Sequence, residues 1–150
     1  MKTLIVYHSS HHGNTKKLLD AIAQEGNVTL CKASEAPADT VGYDLVGLAS
    51  GIYYQKFHPS VLQWAEHSLA RGQKVFLLYT YGVRRDGYAD APRKIAAARE
   101  AEVAGDFGCP GFDTFGPLKL VGGIAKGRPN EADVADAVAF YRGLLQGRGA

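Results

Sequence analysis

Hydroxyl, imidazole and amide side chains crowd one short stretch near the amino terminus, Ser9-Ser10-His11-His12-Gly13-Asn14-Thr15. The hydroxyls of Ser9, Ser10 and Thr15 can donate to an anion. Gly13 lets the main chain come close, and Asn14 tolerates a left-handed turn. An apolar run ahead, Leu4-Ile5-Val6-Tyr7, and an amphipathic segment behind predict a strand, this loop and then a helix start. That order gathers backbone N–H groups and the positive end of a helix dipole around a phosphate. The Gly-x4-Gly-Lys-Ser/Thr spacing of triphosphate loops is absent, as is Gly-x-Gly-x-x-Gly, so a monophosphate is the expected cargo. His11 and His12 either add a titratable charge beside that phosphate or are solvated loop imidazoles.

Two further loops carry aromatic rings where loops usually do not. One is Ser50-Gly51-Ile52-Tyr53-Tyr54-Gln55-Lys56-Phe57, and the other Thr80-Tyr81-Gly82-Val83-Arg84-Arg85. Any one tyrosine could simply pack its own loop. Three such loops at one edge describe a ligand with a phosphate at one end and a flat ring at the other. No residue set for catalysis or for a metal stands out. Cys31 and Cys109 lie far apart without a Cys-x-x-Cys pair and read as reduced, mostly buried thiols.

The elements that must position these loops alternate along the chain. Strands are predicted over residues 3–8, 27–31, 44–49, 73–79 and 102–109, the last weakened by glycine. Helices are predicted over 14–25, from 58 onward behind Pro59, over 90–101 with Pro92 in the first turn, and after the cap Asn130. A short or broken helix is expected over 36–39. Trp64 lies beside an apolar stripe formed by Val61, Leu62, Ala65 and Leu69, so it is expected to pack. Crossovers too long for hairpins imply a mainly parallel sheet with helices on both sides, and ligands in such sheets bind beyond the strands' carboxyl ends. At 150 residues one domain, 1–150, is expected.

Composition narrows the partners. A net charge of +2, with no basic run interleaved with aromatics, does not indicate nucleic acid. The chain has no apolar stretch that would span a bilayer and no signal-peptide core after Met1, so no stable membrane insertion and a cytoplasmic location are expected. A response-regulator-like module would need acidic residues at the end of the first strand, where Tyr7-His8-Ser9 stands instead.

With these residues in place the chain resembles a short-chain flavodoxin along essentially its whole length. Ser9, Ser10, Gly13, Asn14 and Thr15 fit the family's Thr/Ser-x-Thr-Gly-Asn-Thr phosphate loop, with His11 and His12 in place of small residues. Ser50-Gly51-Ile52-Tyr53 resembles the loop over one flavin face and Thr80-Tyr81-Gly82 the loop bordering the other, while Phe107, Cys109 and Gly111 fit a recurrent Phe-x-Cys-x-Gly. The resemblance implies a flavodoxin-like α/β/α sandwich with a five-stranded parallel sheet in the order 2-1-3-4-5. It also implies FMN as cofactor and electron transfer between redox proteins, a reductase and an acceptor. The expected contacts are Ser9, Ser10, His11, His12, Gly13, Asn14, Thr15, Ser50, Gly51, Ile52, Tyr53, Tyr54, Thr80, Tyr81 and Gly82. Typical flavodoxins are strongly acidic, whereas this chain places Lys56, Arg84 and Arg85 in loops expected to border the ring. The loop from Gly51 to His58 is also similar to that of flavodoxin-like, quinone-linked protoporphyrinogen dehydrogenases, which implies an FMN-dependent oxidoreductase as the alternative. The long, partly apolar loop between Gly111 and Gly127 could cap the flavin, meet a partner or pack on the sheet.

Overall fold

Leu4, Ile5 and Val6 are all fully buried, and so are Val75, Phe76, Leu77 and Leu78. Consecutive side chains of a strand point to opposite faces, so such runs need cover on both sides. The computed structural model, which describes residues 1–10, 13–112 and 127–147, supplies it with helices. In chain order the elements are β1 (Thr3–His8), α1 (Asn14–Ile22), β2 (Val28–Lys32), β3 (Leu45–Tyr53), β4 (Lys56–Phe57), α2 (Pro59–Ser68), β5 (Lys74–Tyr81), α3 (Asp90–Ala98), β6 (Glu102–Pro110) and α4 (Glu131–Leu145).

Five of the strands are parallel in the order β2-β1-β3-β5-β6, which is the predicted topology. The sixth strand, β4, was not anticipated. It folds back antiparallel on the end of β3, pairing Ile52 with Phe57 and Tyr53 with Lys56. On one face α1 and α4 close over Ile5, Tyr7, Leu18, Ile22, Phe76 and Tyr141. On the other, α2 and α3 close over Leu4, Val6, Leu48, Trp64, Leu77 and Ala96. Burying large aliphatic and aromatic side chains like these contributes roughly 1.5–3 kcal/mol apiece relative to exposure.

Several boundaries differ from expectation for identifiable reasons. The short helix expected over 36–39 is instead a 3-10 turn at Ala33–Glu35. Pro37 follows Ala36 and disfavours helical backbone before it, and Ala36 is extended with ψ 152°. The α1 helix ends at Ile22, and residues 23–25 tighten into a 3-10 turn. Strands β3 and β5 run to Tyr53 and Tyr81, so both aromatic loops start as strand. Ala104 is left over as a bulge in β6, where Val75 pairs with Val103 but Phe76 with Gly105.

The expectations for Pro59, Trp64, the Asn130 cap and the cysteines hold. Pro59 opens α2. Trp64 is buried, its Nε1–H donating to the Pro37 carbonyl at 2.7 Å. Asn130 and Asp133 form a capping box at α4, with side chain to backbone distances of 2.9 and 2.8 Å. Both cysteines are free, Cys109 buried and Cys31 half-buried. Among the described residues no helix is long and apolar enough to cross a membrane.

Candidate functional site

The parallel register sets the carboxyl ends of three strands side by side. His8 of β1 is opposite Ser50 of β3, and Ser50 and Gly51 are opposite Tyr79 and Thr80 of β5. A cleft opens there, walled by Ser10, Asn14, Gly51, Ile52, Tyr53, Thr80, Tyr81 and Gly82. Eight of the expected contact residues, from three separate loops, thus meet at one place. Gly111 and Phe112 complete the wall.

The first loop is shaped by Gly13, which occupies the N-cap of α1 with φ 67°, a left-handed conformation that suits glycine. Glycine offers no side-chain acceptor to the helix's first N–H groups. Ser9 supplies part of what is missing: its Oγ accepts from the Lys16 N–H at 3.2 Å. Thr15 is turned inward, its hydroxyl 2.9 Å from that of Thr80, and both residues are buried. This pair ties α1 to β5 at the cleft. Ser9, Gly13 and Thr15 therefore position the loop rather than line the cleft. His11 and His12 lie outside the described residues.

The second loop is a tight hairpin. Tyr54 and Gln55 turn the chain between β3 and β4 with positive φ of 50° and 67°, which projects Tyr54 outward at 83% exposure. Tyr54 is thus not a cleft residue, contrary to expectation. Tyr53 is the ring that faces the cleft. Its hydroxyl shares a hydrogen bond of 2.7 Å with Ser10 Oγ, and a Cβ added at Gly51 would lie 3.1 Å from that hydroxyl oxygen. Tyr53 therefore reaches from β3 across Gly51 to the first loop. Ser50 is fully buried behind them. Its Oγ donates to the Gly51 carbonyl at 2.5 Å and accepts from the His58 N–H at 3.0 Å, which fixes the base of the hairpin.

The third wall is Tyr81, only 9% exposed and packed at ring-centroid distances of 6.2 and 5.8 Å against Tyr79 and Tyr88. The Tyr88 hydroxyl donates to the Val83 carbonyl at 2.5 Å, so the loop after β5 is held by its own aromatics. Burial pushes the phenols of Tyr79 and Tyr88 upward, so both remain neutral. Lys56, Arg84 and Arg85 do not line the cleft. Arg84 and Arg85 line a neighbouring cavity with Tyr79 and Tyr88, because Gly82 turns the chain away before them.

Gly111 and Phe112 were not identified as contacts in the sequence, although Gly111 ends the Phe-x-Cys-x-Gly pattern. Asn14 Nδ2 donates to the Phe112 carbonyl at 2.7 Å. A Cβ on Gly111 would come within 2.6 Å of that nitrogen, so only glycine leaves room for Asn14. Arg128 braces the same segment, its carbonyl accepting from the Phe112 N–H at 2.8 Å. Its guanidinium forms a bidentate pair with Asp133 at 2.6 and 2.7 Å. The Arg128 hydrogen bonds hold the Asp133 carboxyl below its usual range. Cys109, just beneath, is pushed up to about 12 mainly by burial and remains a thiol. Among the described residues no group of three or more His, Cys, Asp or Glu side chains is placed to hold a metal.

The donor set fits a phosphorylated flat ring. The first amides of α1, which Gly13 leaves without a side-chain cap, and Ser10 stand at one end, and Tyr53 and Tyr81 provide π surfaces at the other. The free volume in the cleft is about 20 Å³, enough for a water-sized body. The Tyr53–Ser10 hydrogen bond of 2.7 Å runs between the second loop and the first beside this space.

Comparison with known proteins places this geometry in context. A model of the flavodoxin domain matches residues 5–105. An uncharacterized protein of Methanocaldococcus jannaschii is 34% identical over 149 residues, covering 97% of this chain and 99% of its own. The fold is similar to that of oxidised flavodoxin 2 from Bacillus cereus, with TM-score 0.69, 19% identity and coverage of 98% and 99% of the two chains. It is also similar to a Fusobacterium nucleatum flavodoxin bound to flavin mononucleotide, with TM-score 0.67, 12% identity and 99% coverage of each chain.

Proposed function

The chain belongs to the flavodoxin family, and from that premise we propose that it binds FMN in this cleft and carries electrons between a reductase and an acceptor protein. The observation that carries the proposal is the convergence of Ser10 and Asn14, Gly51 to Tyr53, and Thr80 to Gly82 on one cleft. Bound FMN supplies one- or two-electron chemistry that no side chain here provides.

Each wall has a distinct task. The amides at the start of α1, with Ser10, hold the phosphate. The backbone of Gly51 and Ile52 borders the ring edge, and the Ser50 hydroxyl, bonded to the Gly51 carbonyl, holds that peptide in place. Tyr53 covers one side of the ring and Tyr81 borders the other. Tyr81 is packed by Tyr79 and Tyr88, and Tyr53 is held by Ser10 and meets the His8 and His58 rings edge-on. Stacking on these rings contributes about 1 kcal/mol each beyond area burial. Tyr54, with its ring exposed beside the cleft, is suited to contact the protein that receives or delivers electrons.

The test is titration of the ligand-free protein with FMN, riboflavin and FAD, following quenching of flavin fluorescence. Tight binding of FMN, with riboflavin weakened by loss of the phosphate, is the expected result. Colourless protein that ignores all three overturns the cofactor assignment. Reduced holoprotein that passes electrons to a ferredoxin-type partner and not to quinones supports the carrier role. Multiple turnovers with a soluble quinone would mark a quinone-linked oxidoreductase instead.

A further inference from the structure

A second cavity, about 380 Å³ in volume, opens at the carboxyl ends of β1 and β2, against the start of α2. It shares no lining residue with the cleft. Its polar walls are His8, Ser9, Lys32, Ser34, His58 and Ser60, and Tyr7 and Ala33 add apolar surface. No aspartate or glutamate is among the described residues that line it. The cavity beside Tyr79 differs in this respect, since Arg84, Arg85 and Arg93 are matched there by Asp86, Asp90 and Asp106.

The two histidines form an unusual pair. Their rings stack at a centroid distance of 3.6 Å and an interplanar angle of 7°, and both meet the Tyr53 ring edge-on at 5.5 and 5.4 Å. His58 Nδ1 accepts from the Ser60 N–H at 3.1 Å, which assigns the ring proton to Nε2 and leaves that nitrogen as a donor. The first amide of α2 is thereby already satisfied, so the cavity's attraction for a ligand lies in side chains. The Ser60 hydroxyl is engaged by His58 Nδ1 at 2.8 Å, which leaves Lys32, the imidazole N–H and the hydroxyls of Ser9 and Ser34 as donors or cations, with no carboxylate among the described lining residues to compete for them. Burial lowers the His58 pKa, and an anion beside the pair offsets that penalty.

We propose that this cavity binds a small organic anion, a carboxylate or phosphate monoester with an apolar body. Lys32 and the imidazole pair hold the charged group, and Tyr7 and Ala33 contact the body. The volume falls in the usual range for small-molecule sites. The lining residues of this site are distinct from those of the cleft proposed for FMN, and Tyr53, which both imidazoles meet, stands between the two.

The probes are phenyl phosphate, benzoate and, as the uncharged control, benzyl alcohol. Each is titrated into FMN-loaded protein, so that the phosphate loop is filled, while the His8 and His58 ring proton resonances are followed. His8→Gln assigns the signals. At least one anion is expected to shift both imidazoles saturably and benzyl alcohol to shift neither. Lys32→Ala should weaken the anion roughly tenfold, the effect of removing one charge-assisted hydrogen bond, and leave the affinity for FMN unchanged. The proposal fails if neither anion moves the imidazole signals saturably, or if Lys32→Ala binds the anion as well as the native chain. FMN loading is read separately from the visible spectrum. Should the protein take no FMN, the same comparison on the ligand-free chain still reports on this cavity, because Lys32 lies on β2, away from the phosphate loop.

Discussion

Gly47 and Gly111 are both notches cut for a neighbour's side chain, yet one serves the body of the sheet and the other its carboxyl edge. A Cβ at Gly47, in the middle of β3, would lie 2.4 Å from the tip of the Phe76 ring, a residue with no exposure at all. A Cβ at Gly111, just past β6, would lie 2.6 Å from Asn14 Nδ2 at the cleft wall. The first notch admits an apolar ring and builds the core. The second admits an amide whose hydrogen bond to the Phe112 carbonyl shapes a binding surface. In the strand bodies what matters is volume, so many apolar residues would serve. At the carboxyl edge each polar group has one partner at one distance, and substitution has local and chemical consequences.

That contrast can be broken by mutation. Gly47→Ala should have the largest effect, since Phe76 is enclosed and cannot retreat. The expected loss is about 3 kcal/mol, read from denaturant midpoints, and retention of native stability would show that the core can relax around the ring. Gly111→Ala is expected to lower stability by about 2 kcal/mol, because Asn14 is buried at 8% exposure and its own Cβ would lie 2.9 Å from the new methyl. FMN affinity should also fall about tenfold, or 1.4 kcal/mol. Equal affinity for FMN would remove Asn14 and Gly111 from the site.

The smallest effect concerns the brace beneath that edge. The Asp133 pKa is depressed, so this group contributes stability that is complete above its unfolded value of about 4 and is lost as pH falls through the lower folded value. Asp133→Asn should therefore lower the melting temperature at neutral pH, by an amount corresponding to about 1 kcal/mol for the weakened cap. The native and variant curves should converge below about pH 4. A gap that persists unchanged at low pH would mean that the carboxylate charge is not what holds Arg128 and the start of α4.

The strand bodies were legible because their apolar runs answer to one requirement, burial on both faces. Asn130 with Asp133 and Pro59 were legible for a similar reason, since caps and first-turn prolines act within a few residues. The errors cluster where local preference meets long-range pairing. Residues 50–53 look like loop in isolation, and only the ladder to β5 and the return of Lys56 and Phe57 make them strand. Tyr53 and Tyr54 are adjacent and alike in type. Positive φ at Tyr54 and Gln55 sends one ring to the cleft and the other to solvent, a difference that spacing does not encode. Lys56, Arg84 and Arg85 were expected to border the ring, and none of them is among the residues that wall the cleft.

By itself the sequence determined the alternation of strands and helices, a mainly parallel sheet, and the three loops that could hold a phosphate and a ring, while the strand order came from the resemblance to flavodoxins. Hydrophobic periodicity and residue chemistry act over short distances, so they can be read from the chain alone. Only the tertiary structure decided that Thr15 would face Thr80, that Tyr53 would reach Ser10, that Gly111 would make room for Asn14 and that His8 would stack on His58. Each of those contacts joins residues far apart in the chain that meet at the carboxyl edge of the sheet. Their distances follow from sheet register and twist, which arise from the packing of the whole domain and appear in no single segment.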